Sequence, residues 1–348
     1  MDILNNLIEI NTVNDLENAK IREYLKTLLQ PLNFEFEEIG NSSTKVLIAK
    51  RGESNLGFVC HTDTVSASNW RYNPFTLTNE EDKLYGLGSS DMKGGIAALL
   101  EALKDLPKEI PLTCYFTFDE EIDFKGIKLL TKNKKNFPKT LVFPEPTNGI
   151  PAIANKGCME FKVEFMGISA HSSTPLLGEN AIIKAMNFTN ELNIFAKSLE
   201  NEKDYLYEVP YTTCNLAKIS GGSALNKVPD YCEIAFDFRT INSIQESKIL
   251  ETINDLVKKY KAKLEIINNV SCALSKSLEF KDCIEKICNC KCTNLNYVTE
   301  ASFFIDKNIL ILGPGPVTAH QKDEYITKTS FLETINLYKK IIKELSYK

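Results

Sequence analysis

The chain has 348 residues, of which 43% are hydrophobic and 25% are charged, a composition typical of a globular protein with one large or two smaller domains. Its formal net charge of -5 argues against a nucleic-acid-binding protein, because such proteins usually carry a basic surface. The N-terminus lacks the basic and apolar segments of a secretory signal, and no apolar run reaches the roughly 18–20 residues of a membrane helix. We therefore expect a cytoplasmic protein with reduced cysteines that binds neither nucleic acid nor a membrane.

The first half of the chain alternates between short apolar segments and amphipathic segments. The short segments predict strands and the amphipathic ones predict helices, the first over residues 15–30 with Leu16 among its apolar positions. This alternation is typical of an α/β domain with a mixed, mostly parallel sheet flanked by helices. The predicted strands are Val46–Ala49, Leu56–Cys60, Leu112–Phe118 and Leu141–Phe143, and the later helices are Gly94–Leu103 and one that begins at Gly126.

The middle of the chain has a different pattern, in which two helices are each flanked by alternating, half-exposed strands. It predicts a β-α-β-β-α-β unit, an α+β domain inserted at residues 156–272. Residues 1–155 and 273–348 would then form the larger domain. The predicted elements of the insert are Met159–Phe165, Ala181–Phe195, Thr212–Ile219, Tyr231–Phe238, Ile249–Tyr260 and Ala262–Val270.

Four motifs with acidic residues or a histidine lie at the ends of predicted strands, and a loop near the C-terminus supplies one more histidine. In an open α/β sheet, ligands bind beyond the carboxyl ends of the strands, so these side chains are expected to converge. All three histidines of the chain fall in motif-like segments. The converging candidates are His61, Asp63, Asp91, Glu120, Glu121, Glu145 and His320.

This set of side chains is typical of a site for two zinc-like ions. Imidazole and carboxylate groups both ligate Zn²⁺, and two ions roughly 3.5–4 Å apart need a carboxylate that bridges them. Taken singly, a carboxylate at a strand end usually caps a helix or is solvated. A binding protein with an incidental acidic cluster would bind no metal, and a metal-dependent phosphoesterase would need basic residues that are sparse near these motifs.

Two of the motifs suggest a division of roles. In His61-Thr62-Asp63 the first and third side chains point to the same side of an extended segment, so Asp63 can accept a hydrogen bond from the imidazole nitrogen of His61 that faces away from a metal. Of the adjacent Glu120 and Glu121, one can ligate a metal while the other transfers protons.

Four cysteines near the C-terminal third form a C-x4-C-x-C-x-C cluster. Zinc sites prefer two C-x2-4-C pairs that are separated in sequence. We interpret Cys283 and Cys288 as small apolar residues of a helix over Phe280–Cys288, and we assign no ligand role to Cys290 or Cys292.

Further motifs extend over nearly the whole chain. They include Pro74-Phe75-Thr76-Leu77-Thr78, Asp91-Met92-Lys93-Gly94, Asp119-Glu120-Glu121, Glu145-Pro146-Thr147, Ser169-Ala170-His171-Ser172-Ser173, Gly221-Gly222, Asp237-x-Arg239, Thr299-Glu300-Ala301 and Ala319-His320-Gln321-x-Asp323-Glu324-Tyr325. In this order they resemble the dinuclear zinc aminoacylase/carboxypeptidase family of metallopeptidases, which includes the acetylornithine deacetylases and succinyl-diaminopimelate desuccinylases. The acetylornithine deacetylases resemble this sequence most.

The resemblance implies two divalent metal ions, zinc or alternatively cobalt. It implies that Asp91 bridges the two ions. His61 and Glu145 would complete the first metal site, and Glu121 and His320 would complete the second.

The resemblance also implies the catalytic and substrate-binding residues. Glu120 would act as general base and then as general acid, and Asp63 keeps the orienting role that the alternation of side chains predicts. His171 would reach the active site of a partner subunit and support the oxyanion, while Asn226 and Arg239 would contact the substrate. The insert would therefore serve as a lid and as the contact between the subunits of a homodimer.

The implied activity is metal-dependent hydrolysis of the amide bond of a small N-acyl amino acid. The preferred substrate would be N2-acetyl-L-ornithine, in arginine biosynthesis, with N-succinyl-diaminopimelate, N-acetyl-lysine or a dipeptide as alternatives. A cis peptide bond is implied between Asp91 and Met92. Pro144 and residues 122–124 depart from the family pattern, but every metal position is filled.

Overall fold

The computed structural model describes residues 1–41, 43–134, 136–275, 277–304 and 306–347. The chain divides into two compact units. The first unit contains Met1–Ala154, Leu274–Thr293 and Thr299–Lys348, and the second contains Asn155–Ala273 and Asn294–Val298. Within the described ranges, no helix is both long enough and apolar enough to span a membrane.

Up to Asn155, the described residues form four α-helices and eight strands. The helices are α1 (Asp2–Glu9), α2 (Asn18–Leu29), α3 (Lys93–Lys104) and α4 (Lys125–Asn133). The strands are β1 (Glu35–Ile39), β2 (Val46–Arg51), β3 (Leu56–His61), β4 (Thr78–Glu80), β5 (Lys83–Tyr85), β6 (Leu112–Thr117), β7 (Thr140–Phe143) and β8 (Ala152–Asn155).

The remaining elements follow in chain order. The second unit contributes β9 (Gly157–Met166), α5 (Ala181–Leu199), β10 (Thr213–Gly221), β11 (Tyr231–Thr240), α6 (Ser243–Tyr260) and β12 (Lys263–Val270). The C-terminal part contributes β13 (Ala273–Leu274), α7 (Leu278–Cys288), β14 (Thr293–Leu295), β15 (Asn308–Ile311), β16 (Tyr325–Thr327) and α8 (Lys328–Leu345).

The large sheet of the first unit has a parallel centre and antiparallel edges. Its strands run in the order β1-β2-β6-β3-β7-β15-β8-β13, and β14 also pairs with β8. Strand β3 is parallel to β6 and β7, and β15 is parallel to β7. Every residue of β3, β6 and β7 is buried, as expected for strands that are covered by helices on both faces. The predicted α/β class with a mixed sheet is confirmed.

The second unit is built on an antiparallel sheet in the order β10-β11-β9-β12. Burial alternates along β9 and β11, because apolar side chains such as Phe161 and Phe236 face the core and charged ones such as Glu160 and Asp237 face the other side. Helices α5 and α6 pack on the apolar face. The elements therefore follow the predicted β-α-β-β-α-β order.

The first predicted helix begins three residues later than its pattern indicates. Asn14 and Asp15 adopt left-handed conformations, with φ of 48° and 61°, and they form a turn that ends before α2. The Glu17 carboxylate accepts a hydrogen bond from the backbone N–H of Asn11 at 2.8 Å and closes this turn. Leu16, which the sequence pattern places on the apolar helix face, is consequently outside the helix and 70% exposed.

Candidate metal centre

Three strands deliver the first group of candidate residues to one edge of the large sheet. His61 is the last residue of β3 and lies opposite Thr117, the last residue of β6, in the parallel ladder. Glu120 and Glu121 follow β6, and Glu145 follows β7. Because these strands are parallel, their carboxyl ends meet at the same edge, which is where such sheets bind ligands.

Asp91 arrives on the loop between β5 and α3. Gly88 on this loop has φ of 78°, and an added Cβ would lie 2.9 Å from the Thr64 side chain, so the turn requires glycine. The peptide bond between Asp91 and Met92 is cis, which confirms the prediction made from the resemblance.

The first potential metal-binding group consists of His61, Asp91 and Glu145. The Nε2 atom of His61 lies 2.9 Å from Asp91 Oδ1 and 3.8 Å from Glu145 Oε1. His61 and Glu145 are buried, whereas Asp91 is half-buried. One ligand atom from each residue lies within 4.8 Å of the others, a spacing at which the three could hold a metal ion.

The second potential metal-binding group consists of Asp91, Glu121 and His320. The Nε2 atom of His320 lies 2.9 Å from Glu121 Oε2 and 3.6 Å from Asp91 Oδ2. The two carboxylate oxygens of Asp91 therefore face different groups, and Asp91 is the member that both groups share. Among the described residues these two are the groups of this kind, and the four clustered cysteines do not form another.

Carboxylates outnumber histidines in this cluster, and the pKa values of its side chains are shifted accordingly. Burial, followed by the charge of Asp91, raises the pKa of Glu145 to about 7. Burial, with the charges of Glu145 and Glu121 adding to it, raises the pKa of Glu120 well above its usual value. The hydrogen bond with Glu121 raises the pKa of His320 to about 9. Within the described chain, the buried Oε1 atom of Glu121 has no hydrogen-bond donor.

Asp63 lies beside His61, but its contact differs from the one predicted. The Nδ1 atom of His61 is 3.2 Å from the backbone oxygen of Asp63 and 3.6 Å from its carboxylate Oδ1. The nearer contact is therefore to the carbonyl group. The carboxylate is held elsewhere, because its Oδ2 atom accepts a hydrogen bond from the backbone N–H of Glu121 at 3.1 Å. Asp63 thus also ties the β3 end to the glutamate pair.

The three remaining candidates belong to the second unit, where two of them lie together. His171 pairs with Lys227 in a β-bridge, and the N–H of Ser172 donates to the backbone oxygen of Asn226 at 3.0 Å. His171 and Asn226 are exposed. The N–H of Ser173 donates to His171 Nδ1 at 3.2 Å, so Nε2 is the imidazole nitrogen that can donate.

Arg239 lies away from these two residues, toward the other end of the sheet. Asn226 and the bridge partner of His171, Lys227, precede the start of β11 at Tyr231, and from Tyr231 to Arg239 the strand spans about 26 Å at roughly 3.3 Å per residue. The Nε atom of Arg239 donates to Asp237 Oδ1 at 3.1 Å. Asn226 therefore precedes β11, whereas Arg239 lies near the end of this strand.

The sequence analysis predicts no function for two buried glutamates next to the cluster. Glu300 is 1% exposed and accepts a hydrogen bond from Thr117 Oγ1 at 2.8 Å, and burial raises its pKa to about 8. Glu324 is 2% exposed and accepts hydrogen bonds from the loop that carries Asp91. Both lie inside motifs that match the family, which was the available signal, but a sequence does not reveal burial.

The chain is similar to known metallopeptidases over almost its full length. Peptidase family M20/M25/M40 matches residues 57–344. An acetylornithine deacetylase of Aliivibrio salmonicida (strain LFI1238) is 33% identical, with 94% of this chain and 92% of that protein covered.

Two solved structures have the same fold at low sequence identity. A tripeptidase from Staphylococcus aureus subsp. aureus Mu50 has a TM-score of 0.80 and 20% identity, with 100% of this chain and 98% of that one covered. A dinuclear metal-binding peptidase of the M20 family from Bacillus subtilis has a TM-score of 0.72 and 12% identity, with 99% and 97% covered. The chain therefore belongs to peptidase family M20/M25/M40 and is a metal-dependent enzyme that hydrolyses amide bonds.

Proposed function

We propose that this enzyme hydrolyses the amide bond of an N-acyl amino acid, with N2-acetyl-L-ornithine as its preferred substrate, in arginine biosynthesis. The observation that carries the proposal is the pair of potential metal-binding groups that share Asp91, with Glu120 adjacent in sequence to Glu121. The A. salmonicida relative, named an acetylornithine deacetylase, supports the choice of substrate.

The side chains present fit two divalent cations, zinc in the first instance and cobalt as an alternative. His61, Asp91 and Glu145 would hold one cation, and Asp91, Glu121 and His320 would hold the other. Imidazole nitrogens and carboxylate oxygens are donors that zinc prefers. The buried Oε1 atom of Glu121, which lacks a donor in the described chain, and the carboxylates with raised pKa values indicate a site that cations would stabilise.

When bound, the two cations would polarise the amide carbonyl and lower the pKa of a water molecule. Glu120 would remove a proton from the attacking water as its oxygen forms a bond to the carbonyl carbon. Glu120 would then deliver this proton to the amine nitrogen as the carbon–nitrogen bond breaks, which releases the acid and the free amino acid. Asp63 would hold His61 and the backbone of Glu121 in place, through the contacts already described.

The different positions of Asn226 and Arg239 along the second unit support a site in which two subunits contribute residues to one substrate. The part of β11 from Tyr231 to Arg239 spans about 26 Å, which is much longer than an acylated amino acid and favours contacts of one substrate with residues of two subunits. We propose that His171 and Asn226 serve the neighbouring subunit. His171 would donate from Nε2 to the developing oxyanion, a type of contact often worth several kcal/mol.

The second unit has a surface that suits such a homodimer. Strand β10 is the edge of its sheet and is mostly exposed, so its unpaired backbone groups can pair with another strand. Helix α5 packs beside β10 and exposes Ile183, Met186 and Ile194, each at least half accessible to solvent. A second copy of this chain would cover these apolar side chains.

A substrate panel tests the proposed function. The purified enzyme, loaded with zinc or cobalt, is assayed against N2-acetyl-L-ornithine, N-succinyl-diaminopimelate, N-acetyl-lysine and dipeptides, with Glu120→Ala as the inactive control. We expect kcat/KM for N2-acetyl-L-ornithine to exceed the others by at least about tenfold, or about 1.4 kcal/mol of barrier. A higher kcat/KM for a succinyl substrate or a dipeptide would overturn the substrate assignment and retain the chemistry.

A further inference from the structure

The two potential metal-binding groups are positioned by different parts of the fold. His61 and Glu145 follow the adjacent parallel strands β3 and β7, which are paired directly in the large sheet. Asp91 and His320 instead lie on two loops, residues 86–92 and 312–324. The separation between Asp91 and His320 therefore depends on the contacts that join these loops.

Glu324 provides most of these contacts. Its Oε2 atom accepts a hydrogen bond from the backbone N–H of Gly88 at 2.9 Å. Its Oε1 atom accepts from the N–H groups of Ser90 at 2.7 Å and Asp91 at 2.8 Å. The backbone oxygen of Glu324 also accepts from the N–H of Gly86 at 3.0 Å. A carboxylate that is 2% exposed therefore binds three backbone donors of the loop that carries Asp91.

Ser90 makes a second, weaker connection between the same loops. Its Oγ atom donates to the backbone oxygen of Pro316 and accepts from the N–H of Thr318, both at 3.3 Å. The Thr318 hydroxyl donates to the backbone oxygen of Tyr325 at 2.7 Å, so the segment that contains His320 is closed on itself. The two loops are thus joined on both sides of His320.

We propose that Glu324 is a positioning residue, which couples the two loops and thereby sets the affinity of the Asp91–Glu121–His320 group for its cation. This inference rests on the proposed function, because it assumes that both groups bind metal. Glu324 itself would not touch the cation. Residues that hold metal ligands in place typically change metal affinity by about 10–100-fold when they are replaced.

The variant Glu324→Gln tests this role with little change of shape. A carboxamide offers one oxygen acceptor and one NH2 donor, so at least one of the three backbone N–H groups would face a donor. We expect the metal-free parent chain, titrated with Zn²⁺ alone, to bind two equivalents. The variant should bind one equivalent as the parent does and bind the second at least about tenfold more weakly.

Asp323→Asn is the matched control. Asp323 lies on the same loop, and its Oδ1 atom accepts from the N–H groups of Arg71 at 2.8 Å and Tyr72 at 3.2 Å. It therefore makes the same kind of contact as Glu324 but to a different segment. We expect both Zn²⁺ affinities of this variant to stay within about threefold of the parent, since its ligand loops remain joined.

The outcomes separate this inference from the proposed function. A parent chain that binds no Zn²⁺ at these residues would overturn both. Two parent equivalents, with an unchanged second affinity in Glu324→Gln, would overturn the positioning role alone. Equal weakening of both equivalents, with a lower melting temperature of the metal-free variant, would indicate general structural support and would also overturn it. If Glu324→Gln does not fold, Ser90→Ala should weaken the second equivalent selectively, and an unchanged affinity would refute the coupling.

Discussion

The Nε2 atom of His61 lies 2.9 Å from Oδ1 of Asp91, although 30 residues separate the two in sequence. Burial alone would lower the pKa of His61, but the charge of Glu145 and the polar contacts with the Asp63 and Asp91 side chains raise it well above its usual value. Imidazole and carboxylate therefore stabilise each other in this arrangement. A cation placed between them would take over this charge compensation from the proton.

Replacement of the shared aspartate should have a larger effect on metal content than replacement of either unshared ligand. We expect Asp91→Asn to lose both cations, because Asp91 belongs to both groups. Glu145→Gln and Glu121→Gln should each lose one. Metal content after dialysis, measured by elemental analysis, checks this order, with Asp105→Asn as a surface control. One retained cation in Asp91→Asn would argue against a bridging role.

Glu120→Ala should retain metal binding and lose nearly all turnover. The ligands remain in place, but the group that transfers the proton is absent, and general acid–base catalysis typically contributes about 10²–10⁴-fold. Metal content and kcat measured on the same preparation check both halves of this expectation. Activity within about tenfold of the parent, which is only about 1.4 kcal/mol of barrier, would be incompatible with the assigned role.

The buried strands and the site were predictable because both have strong local signals. Strands β3 and β6 are continuous apolar runs, and the acidic or histidine residues follow them directly. Helix α1 was not predicted, although its buried Ile3, Leu4, Leu7 and Ile8 repeat with helical spacing. The segment Asn294–Val298 belongs to the second unit, and such a return of the chain has no local signature.

The residue functions that could not be predicted from the sequence depend on contacts between residues that are far apart in the chain. Glu324 binds the backbone of residues 88–91, more than 230 positions away, and a backbone donor has no side-chain pattern. The Nδ1 atom of His61 likewise lies nearer to a backbone carbonyl oxygen than to the Asp63 carboxylate. The alternation of side chains predicts that His61 and Asp63 point to the same side of the strand. It does not predict which oxygen of Asp63 is nearer to His61 Nδ1.

Lys156 should give the second unit a measurable dependence of stability on pH. The side chain is buried, its Nζ atom donates to the backbone oxygen of Tyr211 at 2.6 Å, and burial lowers its pKa from 10.5 to about 8. Between these two pH values the unfolded chain binds more protons than the folded chain. The free energy of unfolding should therefore rise with pH over this window, whereas below pH 8 the full cost of burying the charge is present.

The comparison with Lys156→Met isolates this effect, since other titrating groups contribute equally to both proteins. Denaturant unfolding in the presence of a chelator, repeated from pH 7 to pH 10.5, gives the difference in free energy between the parent and the variant. We expect the difference to be constant up to about pH 8 and then to move in favour of the parent. A difference that does not change with pH would mean that Lys156 titrates normally in the folded chain.

The last prediction concerns His171, which we propose acts on the substrate of the neighbouring subunit. His171→Ala and Glu120→Ala should each be nearly inactive alone. If subunits exchange, half of the dimers will be hybrids, and in each hybrid one site combines an intact Glu120 from one chain with an intact His171 from the other. An equal mixture should therefore regain about one quarter of the parent activity, as expected for a two-fold dimer.

A mixture of Glu120→Ala with Glu121→Ala is the matched control, because both residues belong to the same unit and no hybrid site would be complete. Verified subunit exchange without any gain of activity would refute action in trans, and full activity of His171→Ala alone would refute its part in catalysis.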